Sequence, residues 1–521
     1  VAASDLVAVA RGAIAVGFDG ATAAEAPLDA LRGFGAIVLF GRNAGAPEEL
    51  RALVVALRAL GTPPPLIAID QEGDRVARLG PDVVTPVPSA MALAAAGDPA
   101  LTERVAAQLG RELARLGISV DFAPVADLAL DPAGAAVGTR AFGDDPARAA
   151  AHAAAFARGL ERGGVAATLK HFPGHGATGE DSHVALPRIA ASEPTLRARD
   201  LVPFARGIAE RAASLVMSAH VVAEAFDPQR PATLSRAVLT GLLREELGFG
   251  GVTATDCLEM DAIARSAGTV EGAVVALAAG ADLLLISHHV DLAEAAARAI
   301  ATAVKDGRIP RARLFEAHAR VAALRARFTA PPDSDARDDD RDAALEAARR
   351  AVTAVRGEPR LRDGKPVTVI SFEGTLDDRA ARSGARASAD AAPSLSAALR
   401  RRRWKSEIMR VPVEPDADDL ELLLEHVSRL GEREFVLVTR DAYRRPSQRD
   451  AVARVLAAAP EALIVAARGP WDATLWPGAR RLACIYGDRP PAFDACADVL
   501  SGRAPARGAM PVRLGENAAV R

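Results

Sequence analysis

The feature that most constrains the fold of this 521-residue chain is an alternation running through its first 330 residues. Eight short apolar runs occur there, separated by longer stretches of helical period. The runs are AIAVGF (13–18), AIVLF (36–40), LIAID (66–70), ISVDFAP (118–124), AATLK (166–170), LVMSAH (215–220), VTATD (252–256) and DLLLI (282–286). Nearly continuous apolar strands are buried on both faces, and strands that alternate with helices pair in parallel. Eight such units predict an α/β fold built on a closed (β/α)8 TIM-type barrel. A doubly wound sheet is the alternative if the strand number is off by one or two.

A chain this long exceeds what one hydrophobic core organises, so a second unit is expected. The segment PPDSDARDDDRD (331–342) has no apolar period and reads as a solvated linker, and AALEAARRAVTAV (343–355) reads as a connecting helix. Beyond it, KPVTVISF (365–372), KSEIMRVPV (405–413), EFVLVTR (434–440), EALIVAARG (461–469) and RLACIYG (481–487) read as strands. These are too few for another barrel and predict a smaller αβα sandwich. The expected division is a catalytic barrel over 1–330, an acidic linker and helix over 331–355, and a sandwich domain over 356–521.

Polar residues gather where the barrel strands end. Asp70 closes the third run, Lys170 and His171 the fifth, Ser218 and His220 the sixth, and Asp256 the seventh. Strand C-termini converge on the mouth of such a barrel, where catalytic groups collect. Asp256 is placed to act as a nucleophile or general base, or to cap the helix-like LEMDAI that follows. The loop KHFPGHGATGEDSH (170–183) holds three of the nine histidines. Its prolines and glycines suit a flap over the mouth. Within it, Asp181 can orient the His183 imidazole for proton transfer, or His183 can simply pin the loop.

His171, His175, His183 and Asp181 are metal-ligand types, but HFPGH lacks the HExxH spacing, and no metal is expected. In IDQEGDRVARL, Asp70 can accept hydroxyl hydrogen bonds while Arg75 or Arg78 holds it or binds an acceptor. A local network of Asp70, Glu72, Arg75 and Arg78 is the competing reading. Arg140, in GTRAFG, is either a site residue or part of a turn. Glu259 and Asp261 read as surface or helix-terminal groups, and His288 and His289 as rim residues without a defined partner.

With 67 acids against 64 bases and a formal charge of −3, the chain offers no broad positive field for nucleic acid. Aromatics at 4% exclude an extended stacking platform, and core packing is expected for Trp404, Trp471 and Trp476. Three scattered cysteines, Cys257, Cys484 and Cys496, do not make a disulfide framework and lean toward a reducing compartment. No run reaches membrane length. The expected location is cytoplasmic, or secreted or lipid-anchored if a leader preceded Val1.

Taken together and in order, IDQEGDRVARL, DFAPVAD, GTRAFG, KHFPGHGATGEDSH and TATDCLEMDAI resemble the glycoside hydrolase family 3 β-N-acetylhexosaminidases, of the bacterial NagZ-like type with a C-terminal α/β domain. The resemblance implies Asp256 as nucleophile, His183 as general acid/base and Asp181 as its dyad carboxylate. It implies Asp70, Arg78, Arg140, Lys170 and His171 as residues binding a terminal N-acetylglucosamine, and a structural place near the site for Asp127. The activity implied is retaining, exo-acting release of N-acetylglucosamine from peptidoglycan-derived muropeptides, with no metal or organic cofactor. The alternatives are a phosphorylase using phosphate as acceptor, a β-glucosidase or β-xylosidase, and a non-catalytic muropeptide-binding protein. The chain departs from the family at Asp74, where glycine is common, and at Cys257, where Asp, Ser or Ala is usual.

Overall fold

The computed structural model describes residues 3–132, 137–178, 186–329, 342–374, 394–430 and 433–515. All eight expected runs form strands: β1 Ile14–Gly17, β2 Ala36–Leu39, β3 Leu66–Ile69, β4 Val120–Asp121, β5 Ala166–Phe172, β6 Leu215–Ser218, β7 Val252–Thr255 and β8 Leu284–Ile286. Every neighbouring pair is parallel, in the order β7-β6-β5-β4-β3-β2-β1-β8. A parallel bridge between Ala254 and Leu283 brings the two ends together, so the sheet is a near-closed barrel.

Strand alternation divides the apolar side chains between two cores. Ala15, Val38, Ala68, Val120, Leu215, Met217 and Ala254 fill the barrel interior. Ile14, Val16, Ile37, Ile67, Leu169 and Val216 face the surrounding helices. The helix Arg311–Phe328 plugs the interior with Val321, Leu324 and Phe328, whose side chains join the interior cluster. Its Arg325 donates to the carbonyls of Pro63 and Pro64 before β3. The plug therefore lies at the strands' N-terminal ends and leaves the opposite mouth for chemistry.

A second sheet has the order β9-β14-β13-β12-β10-β11, with β9 Thr353–Arg356, β10 Val367–Glu373, β11 Ser406–Pro412, β12 Glu434–Thr439, β13 Leu463–Ala466 and β14 Arg481–Cys484. Only β9 runs antiparallel to its neighbour. Apolar clusters cover both faces, as an αβα sandwich requires: Ile370 and Phe372 enter one, Val367 and Val369 the other.

The helical reading of 343–355 holds only to Ala351, because Thr353–Arg356 is β9. The β-branched residues Val352, Thr353 and Val355 favour the extended chain, and pairing with Arg481–Cys484 satisfies its backbone groups. Trp471 and Trp476 are buried, and Trp404 packs partly buried against the second core.

One apolar cluster joins both sheets' territories. Met91, Ala92, Ala95, Val125 and Ala141, from loops and helices of the barrel, pack with Ala351, Cys484, Tyr486 and Val512. The late segment GAMPV crosses back onto the barrel, where Ala509 N–H donates to Ala95 O at 2.9 Å and Arg148 donates to Met510 O at 3.0 Å. Gly143, at φ 122°, lies so close to Pro511 that a Cβ there would sit 2.2 Å from its carbonyl oxygen. The loop that follows Arg140 is thereby clamped to the C-terminal segment.

Candidate active site

Asp70 leaves the end of β3 and accepts from Lys170 Nζ at 2.8 Å and from Arg78 Nη2 at 3.2 Å. Two residues on, Glu72 makes a two-pronged pair with Arg140, Nε to Oε2 at 2.8 Å and Nη2 to Oε1 at 2.7 Å. The Lys170 ammonium also lies 2.7 Å from Glu72 Oε1. Arg78, Arg140 and Lys170 thus surround two carboxylates in a buried network. Burial pushes both acids up, but the cations prevail. Lys170 and Arg78 hold Asp70 well below the usual carboxylate range, while Arg140 and Lys170 pull Glu72 down to about 2. Against burial's opposing pull, Asp70 and Glu72 raise Lys170. Beneath them Asp121 is fully buried and accepts from the Gln71 N–H at 2.9 Å; burial pushes its carboxyl up to about 8.

His171 is fixed from below. Its Nδ1 is 2.7 Å from Asp127 Oδ2, and the same carboxylate accepts the backbone N–H groups of His171 and, at 2.7 Å, His175. Burial opposes ionisation of Asp127, yet the two histidines keep its carboxyl below the ordinary value. The rings of His171 and His175 meet edge to face at 6.1 Å. Burial lowers His175, while the charges of Asp127 and Asp256 act in the opposite direction.

Asp256 follows β7 directly, and its N–H donates to Ser218 O at 3.2 Å. It does not cap a helix: the next one is Asp261–Ala264, entered through Met260. Its Oδ1 instead accepts the Cys257 N–H at 2.7 Å. Buried His220 braces this turn, with Nε2 donating to Cys257 O at 2.9 Å and Nδ1 lying 2.8 Å from Thr233 Oγ1.

The structure therefore brings Asp70, Arg78, Arg140 and Lys170 into one network, sets His171 beside it on Asp127, and places Asp256 at the end of β7, two strands from β5. Asp181 and His183 lie outside the described residues. The sequence reading omitted Glu72 and His175 from the site. For Glu72 a signal existed, because residues two apart in an extended segment share a face with Asp70. For His175 none did, since its place follows from its backbone bond to Asp127.

Three readings change. Glu259 is no surface group: its side chain is 8% exposed and accepts from the His288 N–H at 2.7 Å and pairs with His289 Nδ1 at 2.6 Å. His289 thus has a partner, and the Glu259 contact raises its pKa. Asp74, the departure from the family's usual glycine, is buried. It turns, at φ 46°, into a charged seam with the second unit, where burial and then Asp488 raise it to about 6 against Arg468, Arg489 and Arg75. Arg75 belongs to that seam as well, facing Arg468, Asp441 and Asp488, which leaves Arg78 as the partner of Asp70.

This geometry offers fixed cationic donors and paired carboxylate acceptors to a hydroxyl-rich ligand, with the Asp256 carboxylate at the same C-terminal end of the barrel strands. Comparisons with known proteins agree. The sequence pattern of the glycosyl hydrolase family 3 N-terminal domain matches residues 19–324. A beta-hexosaminidase of Chromobacterium violaceum is 41% identical over 273 residues, covering 51% of this chain and 75% of the relative. One from Pseudomonas aeruginosa is 42% identical over 273 residues, covering 51% and 79%. The solved family 3 β-N-acetylglucosaminidase of Paenibacillus sp. FPU-7 superposes with a TM-score of 0.89 at 34% identity, over 98% of this chain and 99% of that one.

Proposed function

Because the chain belongs to glycosyl hydrolase family 3 and is a β-hexosaminidase-type glycoside hydrolase, we propose that it is a retaining exo-β-N-acetylglucosaminidase that releases terminal N-acetylglucosamine from peptidoglycan-derived muropeptides. The observation that carries the reading is Asp256: a carboxylate directly after β7, at the same C-terminal end of the barrel strands as the Asp70–Glu72–Arg78–Arg140–Lys170 network and without a capping role. The similarity in both sequence and whole-chain structure to enzymes named for this activity supports the sugar.

In this mechanism Asp70, Arg78, Arg140, Lys170 and His171 hold the hydroxyl and acetamido groups of the terminal sugar. Asp256 attacks the anomeric carbon while protonated His183, oriented by Asp181, donates to the leaving oxygen. Neutral His183 then takes a proton from water, which releases the sugar from Asp256. An uncharged base repels an anionic acceptor less than a carboxylate does, so phosphate is the rival acceptor. In the same proposal residues 1–330 are the catalytic unit and the C-terminal sandwich steadies its Arg140 loop. The unpaired thiols of Cys257, Cys484 and Cys496 support a reducing, cytoplasmic setting.

Product analysis on a defined muropeptide, with and without phosphate, tests the proposal. Free N-acetylglucosamine at a phosphate-independent rate is expected. A phosphate-dependent sugar 1-phosphate would make the protein a phosphorylase, and binding without turnover would make it a non-catalytic receptor. Aryl glucoside and xyloside controls are expected to turn over far more slowly than the aryl N-acetylglucosaminide.

A further inference from the structure

The segment that carries Asp256 holds a second set of reactive side chains that the glycosidase mechanism does not use. Cys257 Sγ, a Glu259 carboxylate oxygen and a His288 ring nitrogen all lie within 4.8 Å of one another. Cys257 and Glu259 come from the turn after β7, His288 from the turn after β8. A thiolate, a carboxylate and an imidazole form a mixed donor set of the kind zinc and its neighbours take. With bonds of about 2.0–2.3 Å, tetrahedral ligands stand roughly 3.3–3.8 Å apart. The trio therefore needs shifts of about 1 Å or less to close on an ion, within the range of side-chain adjustment.

One contact is already made, although burial and then Glu259 push the Cys257 thiol up to about 12, so an ion must displace a firmly held proton. Cys257 Sγ is already 3.8 Å from Glu259 Oε2. His288 is exposed, so the cluster opens to solvent on that side. Arg42 lies 3.5 Å from His288 Nδ1 and is held by Asp19 at 2.9 Å and by the carbonyls of Phe18 and Ser287, while His289 pairs with Glu259 on the other side. A divalent ion that displaces the thiol proton adds one positive charge beside Arg42, leaving a neutral complex of one thiolate, one carboxylate and the ion.

We propose that Cys257, Glu259 and His288 form a binding site for a zinc-class divalent cation, and that filling it inhibits the enzyme. Binding exchanges the thiol proton for the metal: the S–H bond breaks, an S–metal bond forms and the proton leaves to solvent. A fourth position remains for water. Inhibition follows from place. The Cys257 N–H holds Asp256 Oδ1, so a cation on the Cys257 side chain sits one residue from the nucleophile, withdrawing its charge and shifting its turn.

The test uses the full chain, metal-free and reduced with a non-chelating phosphine. One equivalent of Co2+ should produce tetrahedral ligand-field bands together with a near-ultraviolet thiolate-to-cobalt absorption. Zn2+ should displace it. Cys257→Ser and His288→Ala should each weaken cation binding at least tenfold. Cys484 and Cys496 are fully buried in the second unit, so the sulfur band reports on Cys257. His288→Ala changes an exposed side chain and keeps the test valid should Cys257→Ser fold poorly. A cobalt spectrum without the sulfur band, or binding unchanged in both variants, overturns the site. The inhibition arm alone rests on the glycosidase reading. There, Zn2+ should slow wild type and act at least tenfold more weakly on Cys257→Ser, each measured against its own metal-free rate. Equal sensitivity would overturn the inhibitory role.

Discussion

Replacing Glu72 with Gln probes how the binding network is held together. The carboxylate satisfies the Arg140 guanidinium at two atoms and shares the Lys170 ammonium with Asp70. Moving a carboxyl from 4.5 to about 2 is worth about 3 kcal/mol of preference for its charged form. That agrees with the roughly 3–5 kcal/mol lost when one partner of a buried ion pair is removed. A depressed folded-state value stabilises the protein above the unfolded value, and the gain is lost as pH falls through the folded one. E72Q should therefore unfold in urea with about 3 kcal/mol less stability at pH 7, followed by circular dichroism. The gap should narrow as pH falls below about 4.5. Kinetics on an aryl N-acetylglucosaminide should show KM raised at least tenfold, since Arg140 and Lys170 lose the group that aims them. A stability loss under about 1 kcal/mol, or one that is the same at pH 7 and pH 3, would refute the reasoning.

Other substitutions follow the same logic. Asp127→Asn places an amide N–H against donors from His171 and His175, and should cost about 2–3 kcal/mol and at least tenfold in kcat/KM. Differential scanning calorimetry and steady-state kinetics read the two effects. Asp74→Asn keeps a residue tolerant of positive φ while removing a buried charge. Because the folded-state pKa of Asp74 is raised to about 6, wild type loses stability as pH rises from about 4 through 6, and the variant should lack that fall in its Tm profile. Gly143→Ala forces a Cβ into Pro511 O, so both Tm and the affinity for substrate should drop.

The barrel was legible because its strands are apolar on both faces, a pattern that needs no knowledge of partners. β9 was not: its four residues continue a helical-looking text, and only pairing with Arg481–Cys484 makes them a strand. Asp70, Lys170 and Asp256 could be found from their places at strand ends. The choice between Asp256 as cap and as site residue needed the helix start at Asp261. Arg75 and Arg78, three apart in sequence, could not be told apart until the second unit claimed the first through Arg468, Asp441 and Asp488. Glu259 looked solvated because its partners, His288 and His289, arrive from the turn after β8. Long-range contacts of this kind leave no local trace.

Peptide mapping by mass spectrometry, after incubation with a fluorinated N-acetylglucosaminide that slows release of the sugar, addresses Asp256 most directly. One N-acetylglucosaminyl residue on the peptide containing Asp256, absent from Asp256→Ala, is the expected result. Modification confined to another carboxylate, or undiminished turnover by Asp256→Ala, would contradict the account.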